Sequence, residues 1–224
     1  VLNLAVNLNG QPPIQVFARV IEEKALVIRS IDLGLSESLT SYEEVGAYDR
    51  LSSGFAIARA AFALVGFEPR FNGGRYPSLE AQLTAFGGGI EISMLAAIPK
   101  GSGLGTSSIL AGTLLGTLAD LCDLGWDRSE ISRRTLALEQ MLTSGGGWQD
   151  QVGGIYRGVK LVETCAGLDQ TPLVRWAPSS FFENPDVADR VLLYYTGVTR
   201  LARNILSGIV RGIFLNSRDR LATL

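Results

Sequence analysis

The sequence predicts an α+β fold, an α/β two-layer arrangement in which short strands come first and long apolar helices follow. Three observations carry this. Apolar and polar residues alternate with period two in the N-terminal third, the signature of half-buried strands. Apolar runs at helical spacing cover residues 52–65 and 106–122. Glycine clusters at 101–105 and 145–147 mark the places where the chain must change element.

Val1–Leu8 alternates and reads as a strand. Asn9-Gly10 follows as a hairpin signal, because both residues tolerate positive φ. Ile14–Val20 alternates again and Ala25–Ile31 comes next, so three antiparallel strands are expected. Ile31-Asp32-Leu33-Gly34 turns the chain. Ser41 with Glu44 three residues on is a capping box. Ser52–Val65 is alanine-rich and apolar, a buried helix that Gly66 ends. Asn72-Gly73-Gly74 is a turn, and Tyr76–Phe86 carries no clear pattern.

Gly87-Gly88-Gly89 precedes a strand at Ile90–Ala97, which feeds straight into the glycine turn at Gly101. Thr106–Cys122 is apolar on nearly every face, as a central helix is. Asp127 caps the next helix, with Glu130 at the capping-box position. That helix runs to about Leu142, and Gly158–Glu163 is a strand beyond the second glycine cluster. Pro172, Pro178 and Pro185 mark a loop-rich stretch, Val191–Thr196 a buried strand and Leu201–Leu215 a helix. The chain opens in strand character without methionine and closes in an uncapped helical pattern, so it reads as an excerpt of a longer protein.

Composition narrows the function classes. The 224 residues carry a net charge of −2, no electrostatic footprint for nucleic acid or an anionic membrane. No spanning apolar run and no basic leader segment stands in the sequence. Two cysteines, Cys122 and Cys165, suit small core residues and a reducing, cytoplasmic setting. Histidine is absent. That excludes a Ser-His-Asp triad, a Cys-His pair and any His-ligated metal. A general base must then be Asp, Glu, Lys, Tyr or Cys, and a divalent metal must take oxygen ligands.

The glycine turns concentrate the chemistry. Gly101, Gly103 and Gly105 leave the backbone bare, with Lys100, Ser102 and Leu104 between and before them. Thr106, Ser107 and Ser108 then open a helix, whose N-terminus favours an anion. The pattern is not a Walker A loop, since no Gly-Lys-[Ser/Thr] stands in register. The plainer reading is a tight strand-to-helix turn with hydroxyl caps. Glu139 lies inside an apolar helical run, either on its wet face or as a magnesium ligand. Asp150 follows Gly145-Gly146-Gly147-Trp148-Gln149 and precedes Gly153-Gly154. These glycines permit a close approach to a ligand, and Trp148 is a sugar platform or a core residue. Asp150 is the natural base to orient a hydroxyl. A phosphate cradle, Mg²⁺ and a positioned acceptor are the parts of phosphoryl transfer.

At these residues the chain resembles the GHMP small-molecule kinases. Pro99-Lys100-Gly101-Ser102-Gly103-Leu104-Gly105-Thr106-Ser107 is similar to their motif Pro-x-x-x-Gly-Leu-Gly-[Ser/Thr]-Ser. The segment Gly145–Gln151 with Gly153-Gly154 is similar to L-fucokinases, including the kinase half of bifunctional fucokinase/GDP-fucose pyrophosphorylases. Further similarity lies in Ile28–Asp32, Thr196-Gly197 and Arg200–Asn204.

The resemblance implies an ATP site built from Lys100, Gly101, Ser102, Gly103, Leu104, Gly105, Thr106, Ser107 and Ser108. It implies Mg²⁺ on Ser107 and Glu139, and Asp150 as the catalytic aspartate. Gly146, Gly147, Trp148, Asp150 and Arg200 would face the sugar, although Arg200 reads equally as part of an interdomain salt bridge. The implied reaction phosphorylates the anomeric hydroxyl of L-fucose. A heptose-phosphate or other hexose kinase, and a catalytically silent sugar- or nucleotide-binding module, are the alternatives. The implied fold has an N-terminal domain like the second domain of ribosomal protein S5 over residues 1–195, and the start of a ferredoxin-like domain over 196–224. The family's first and third motifs are absent from these residues, so the excerpt alone is expected to turn over little. A nucleotidyltransferase fused upstream is the partner that the resemblance raises.

Overall fold

The structure is a computed structural model and describes residues 1–49, 54–99, 101–142, 147–165, 171–194 and 197. Its strands are β1 Leu2–Leu4, β2 Ile14–Ile21, β3 Leu26–Ser30, β4 Leu35–Leu39, β5 Gly89–Ala96, β6 Val159–Glu163 and β7 Leu173–Trp176. Its helices are α1 Tyr42–Gly46, α2 Ala56–Leu64, α3 Pro69–Asn72, α4 Leu79–Phe86, α5 Thr106–Leu121, α6 Arg128–Met141, α7 Gln149–Ile155, α8 Ser180–Glu183 and α9 Pro185–Ala188. The α+β class holds, with helices packed on one four-stranded sheet and a second sheet of three strands.

The four-stranded sheet runs β2-β5-β3-β4. Here the structure corrects the expected three-strand meander. β2 and β3 do not pair; β5 lies between them, antiparallel to β2 and parallel to β3. The reason is burial. Gly89, Ile90, Glu91 and Ile92 are all buried, and a strand covered on both faces belongs in the middle of a sheet. Glu91 is tied to both neighbours, to Arg19 at 2.8 Å and to Arg29 at 2.9 Å. Burial alone would raise its carboxyl, but the two guanidinium groups outweigh that and hold it below the usual carboxylate range.

β1 also finds another partner than expected. Asn9 and Gly10 do form the tight turn, at φ 49° and 78° with Leu8 opposite Gln11. The chain before it leaves to pair with β6, Leu2 opposite Leu161. β6 pairs in turn with β7, in a stretch that its prolines mark as loop.

Helix ends follow their side chains. Ser41 and Glu44 close a full capping box on α1. Asp127 caps α6 by accepting from Glu130 N at 2.8 Å, but Glu130 leaves the box incomplete and turns to Arg133 and to Arg134 at 2.6 Å. In the stretch without a sequence pattern, Ser78 accepts from Ala81 N at 3.1 Å and starts α4. α2 is the buried alanine-rich helix; residues 52 and 53, its expected start, lie outside the described ones.

The core sits between sheet and helices. Leu26, Ile28, Ile90 and Ile92 from the sheet meet Phe62 of α2 and Leu114, Leu115 and Leu118 of α5, all with essentially no solvent exposure. Each such side chain contributes about 1.5–3 kcal/mol. α5 is the central helix the pattern predicts, packed on β2, α2, α6 and α7.

The expected buried strand at Val191–Thr196 is corrected. Val191, Leu192, Leu193 and Tyr194 form no strand and stand 59–87% exposed. A local apolar run looks like a strand core, yet a strand also needs a neighbour's backbone, and no described strand lies along it. Residues 195, 196 and the helix expected at Leu201–Leu215 lie outside the described residues, as does all of 196–224 except Gly197. No described helix is long and apolar enough to cross a membrane.

Candidate active site

Beyond β5 the chain enters a loop whose alternate residues take left-handed backbone: Gly101 at φ 74°, Gly103 at 81° and Gly105 at 69°. Glycine, with no Cβ, takes this conformation at no steric cost. Ser102 N and Thr106 Oγ1 both donate to Pro99 O, at 3.3 and 3.4 Å, and tie the loop to its base. Gly105 is the N-cap of α5 and supplies no side chain. The first intrahelical bond is Ile109 N to Gly105 O at 2.9 Å. The N–H groups of Thr106, Ser107 and Ser108 therefore have no partner within the helix. Together with the positive end of a 16-residue helix, they form an anion cradle. Ser102 Oγ adds a buried hydroxyl with no hydrogen-bond partner among the described atoms.

Two carboxylates face this helix start. Glu139, on α6, is buried rather than on the wet face. Its Oε1 accepts from Ser108 Oγ and its Oε2 accepts from Gln151 Nε2 at 2.7 Å, so one carboxylate ties α5, α6 and α7 together. Burial raises its pKa, and the nearby Asp150 charge pushes the same way. Asp150, on the first turn of α7, is raised by burial as well. It keeps an exposed edge open to a substrate. A Cβ placed on Gly105 would lie 3.0 Å from Asp150 Cβ and 3.1 Å from its Cγ. The bare N-cap and the aspartate are thus in direct contact.

Close helix packing brings them there. A Cβ on Gly154 would sit 2.5 Å from Ile109 Cγ1, and one on Gly153 would overlap Asn3 Oδ1. These two glycines admit protein rather than a ligand: α7 lies against the first turn of α5 and against β1. Lys160, fully buried on β6, donates from Nζ to Gly153 O at 2.9 Å and Gly158 O at 3.4 Å, and burial lowers its pKa. It anchors the C-terminal end of the helix that carries Asp150.

Among the residues singled out by sequence, Gly101, Ser102, Gly103, Leu104, Gly105, Thr106, Ser107, Ser108, Glu139 and Asp150 converge. Ser107 is exposed, whereas Ser108 meets Glu139. Trp148 is half-buried at the N-cap of α7 and Gly147 precedes it, exposed. Lys100, Gly145, Gly146 and Arg200 lie outside the described residues. Sequence reasoning passed over Gln151 and Lys160. Gln151 stood in the quoted motif beside Asp150, but nothing local shows that a strand lysine turns inward.

The donor set suits a hard cation beside an anion. Two carboxyls with raised pKa values stand at a helix N-terminus among hydroxyls. No group of three or more Asp, Glu, Cys or His side chains converges among the described residues. An ion here would share its shell with hydroxyl, water and ligand oxygens, as Mg²⁺ does.

Residues 76–158 match the family described as GHMP kinases N terminal domain. The chain is 55% identical over 217 residues to an L-fucokinase/L-fucose-1-P guanylyltransferase of Bacteroides fragilis, a match that covers 97% of this chain and 23% of that protein. It is 29% identical over 214 residues to a bifunctional fucokinase/GDP-fucose pyrophosphorylase of Arabidopsis thaliana, covering 94% of this chain and 19% of that protein. The chain therefore spans less than a quarter of the length of these relatives. In fold it is similar to a putative sugar kinase from Campylobacter jejuni, at a TM-score of 0.57 and 17% identity over 94% of this chain and 62% of that one.

Proposed function

For a chain that carries a GHMP kinase N-terminal domain, we propose the ATP-binding part of a kinase that transfers the γ-phosphate of ATP to the anomeric hydroxyl of L-fucose, giving fucose 1-phosphate. The observation that carries this reading is the contact between Asp150 and Gly105. It sets a candidate base beside the helix end suited to the transferring phosphate. The choice of sugar rests on the names of the two relatives.

In this reading the N–H groups of Thr106, Ser107 and Ser108 and the glycine loop hold the β- and γ-phosphates. Asp150 accepts the proton of the sugar hydroxyl as its oxygen attacks phosphorus. Glu139, with Ser107 or Ser108, would hold Mg²⁺, which supplies charge neutralisation on the phosphates. Adjacent helical residues point about 100° apart, and the Ser108–Glu139 bond favours Ser108 over the Ser107 expected from resemblance. Trp148 would offer its ring to an apolar sugar face. Residues 1–195 act as the N-terminal domain and 196–224 begin the next one. The relatives' names pair a kinase with a nucleotidyl-transferring activity, and we read a linked upstream domain of that kind here too. The 224 residues alone are expected to turn over little.

The test is ADP release by the whole kinase with ATP, Mg²⁺ and L-fucose, followed by identification of the product. Fucose 1-phosphate is the expected product. ADP release with a different sugar only would discard the substrate, and no ADP with any sugar would overturn the kinase reading.

A further inference from the structure

The opposite end of α5 carries a second concavity. A cavity of about 490 Å³ opens between the C-terminal ends of α2 and α5 and the α3–α4 segment. Its size falls in the range of small-molecule sites. Phe67, Phe71, Tyr76 and Phe86 supply aromatic wall, and Cys122 closes it where α5 ends. The 16 residues of α5 separate it from the glycine loop by about 24 Å. Most of its wall precedes residue 76, where the kinase-family match begins, so the cavity is not part of the phosphate site.

Two features of this open concavity bear on what it could hold. Its polar floor is fixed: Gln82 Oε1 accepts from Tyr42 OH at 2.9 Å and Asn72 Nδ2 at 3.1 Å, while Gln82 Nε2 donates to Gly66 O at 2.9 Å. Arg75, by contrast, is exposed at the rim and makes no ion pair among the described residues. Every other arginine described on the first 75 residues does pair: Arg19 and Arg29 with Glu91, Arg59 with Glu37, Arg70 with Glu68. A guanidinium fork without a carboxylate, beside an aromatic-walled cavity, suits an anion on a planar ring.

We propose that this cavity is a second ligand site that takes a planar ring bearing a phosphate, the chemistry of a nucleoside monophosphate. The ring lies among Phe71, Tyr76 and Phe86, and the phosphate meets Arg75.

Cysteine alkylation reads occupancy directly. Cys122 is half-buried in the cavity wall and Cys165 is exposed elsewhere, so the second thiol is an internal control. This chain is treated with iodoacetamide in the presence of Mg²⁺ and saturating β,γ-imido-ATP, which occupies the glycine loop. AMP and GMP are the probes, and adenosine is the control without an anion. At a probe concentration about ten times Kd, Cys122 labelling is expected to slow about tenfold while Cys165 labelling is unchanged. Arg75→Met is expected to weaken probe binding at least about tenfold, the loss of one charge-assisted contact, so that protection at the same probe concentration falls to about twofold or less, and to leave turnover of the whole kinase intact. The proposal is overturned by no protection of Cys122, by equal protection from adenosine, or by full protection in Arg75→Met. The readout needs no turnover, so it stands apart from the kinase assay.

Discussion

The two ends of α5 handle buried polarity in opposite ways. At the N-terminal end, Glu139 and Asp150 are both pushed above the ordinary carboxylate range by burial, and Ser102 Oγ and Gln151 Oε1 are buried without partners among the described residues. At the C-terminal end, the helix closes by Cys122 N donating to Leu118 O at 2.9 Å, Phe67 meets Phe86 edge to face, and burial pushes the Cys122 thiol up to about 11. A neutral thiol tolerates burial at little cost, whereas a carboxylate does not. Of the two ends of α5, the one where the glycine loop and the acids meet therefore carries the electrostatic stress. The other end is relaxed and open, as a ligand-accepting wall can be.

The largest test of this contrast is Asp150→Asn. Turnover of the whole kinase is expected to fall about 10²–10⁴-fold, the usual contribution of a general base, while ATP affinity holds. As the proposed base, Asp150 would act only when ionised. Its raised pKa places the acid limb of the kcat/KM profile above the ordinary aspartate range. An acid limb at or below that range would break the assignment.

Next in size is Gly154→Ala, which drives a Cβ to 2.5 Å from Ile109 Cγ1. Overpacking of this kind costs about 1–3 kcal/mol, read as a lower Tm. Since α7 must move off α5, turnover should fall more than the stability loss alone explains. Unchanged activity would show that the α5–α7 contact does not set the position of Asp150.

Glu139→Gln should act in the opposite direction on stability. A carboxyl whose folded pKa lies above its unfolded value binds extra protons in the folded state, so its contribution is lost as pH rises through that window. Metal-free Glu139→Gln is therefore expected to melt higher than the unaltered chain at pH 7. The gain should shrink as pH falls toward the unfolded carboxylate value of about 4.3. Adding Mg²⁺ with ATP should raise Tm in the unaltered chain more than in the variant. The smallest effect belongs to the far end: Arg75→Met should leave both turnover and Tm essentially where they were, since Arg75 is exposed and makes no ion pair among the described residues.

Much of the site was legible because its signals are local. Three alternate glycines before three hydroxyl residues announce an N-terminal cradle, and Ser41–Glu44 and Asp127 announce their helices through contacts three residues apart. The misses are non-local. Gly153-Gly154 looked like room for a ligand, but the space is filled by Ile109 and Asn3, residues far away in sequence. Ser107 and Ser108 were indistinguishable by type, and only the phase of α5 against α6 turns Ser108 toward Glu139. The apolar run at Val191–Tyr194 carried strand composition, but no described strand pairs with it.

The sequence by itself determined which residue types could do chemistry here: no histidine, oxygen-rich side chains, bare backbone at a helix start, and two acids within reach of the second glycine cluster. It also determined the helices α1, α2, α5 and α6, because their capping and periodicity act over one or two turns, whereas α4 and α7 showed no such pattern. The tertiary structure alone decided the strand order β2-β5-β3-β4, the pairing of β1 with β6, the burial of Glu139 and Lys160, and the contact between Asp150 and Gly105. Those outcomes depend on the free energy of burying whole faces against one another. That energy is shared among residues up to about 160 positions apart, as Leu2 and Leu161 are, and no local pattern encodes it.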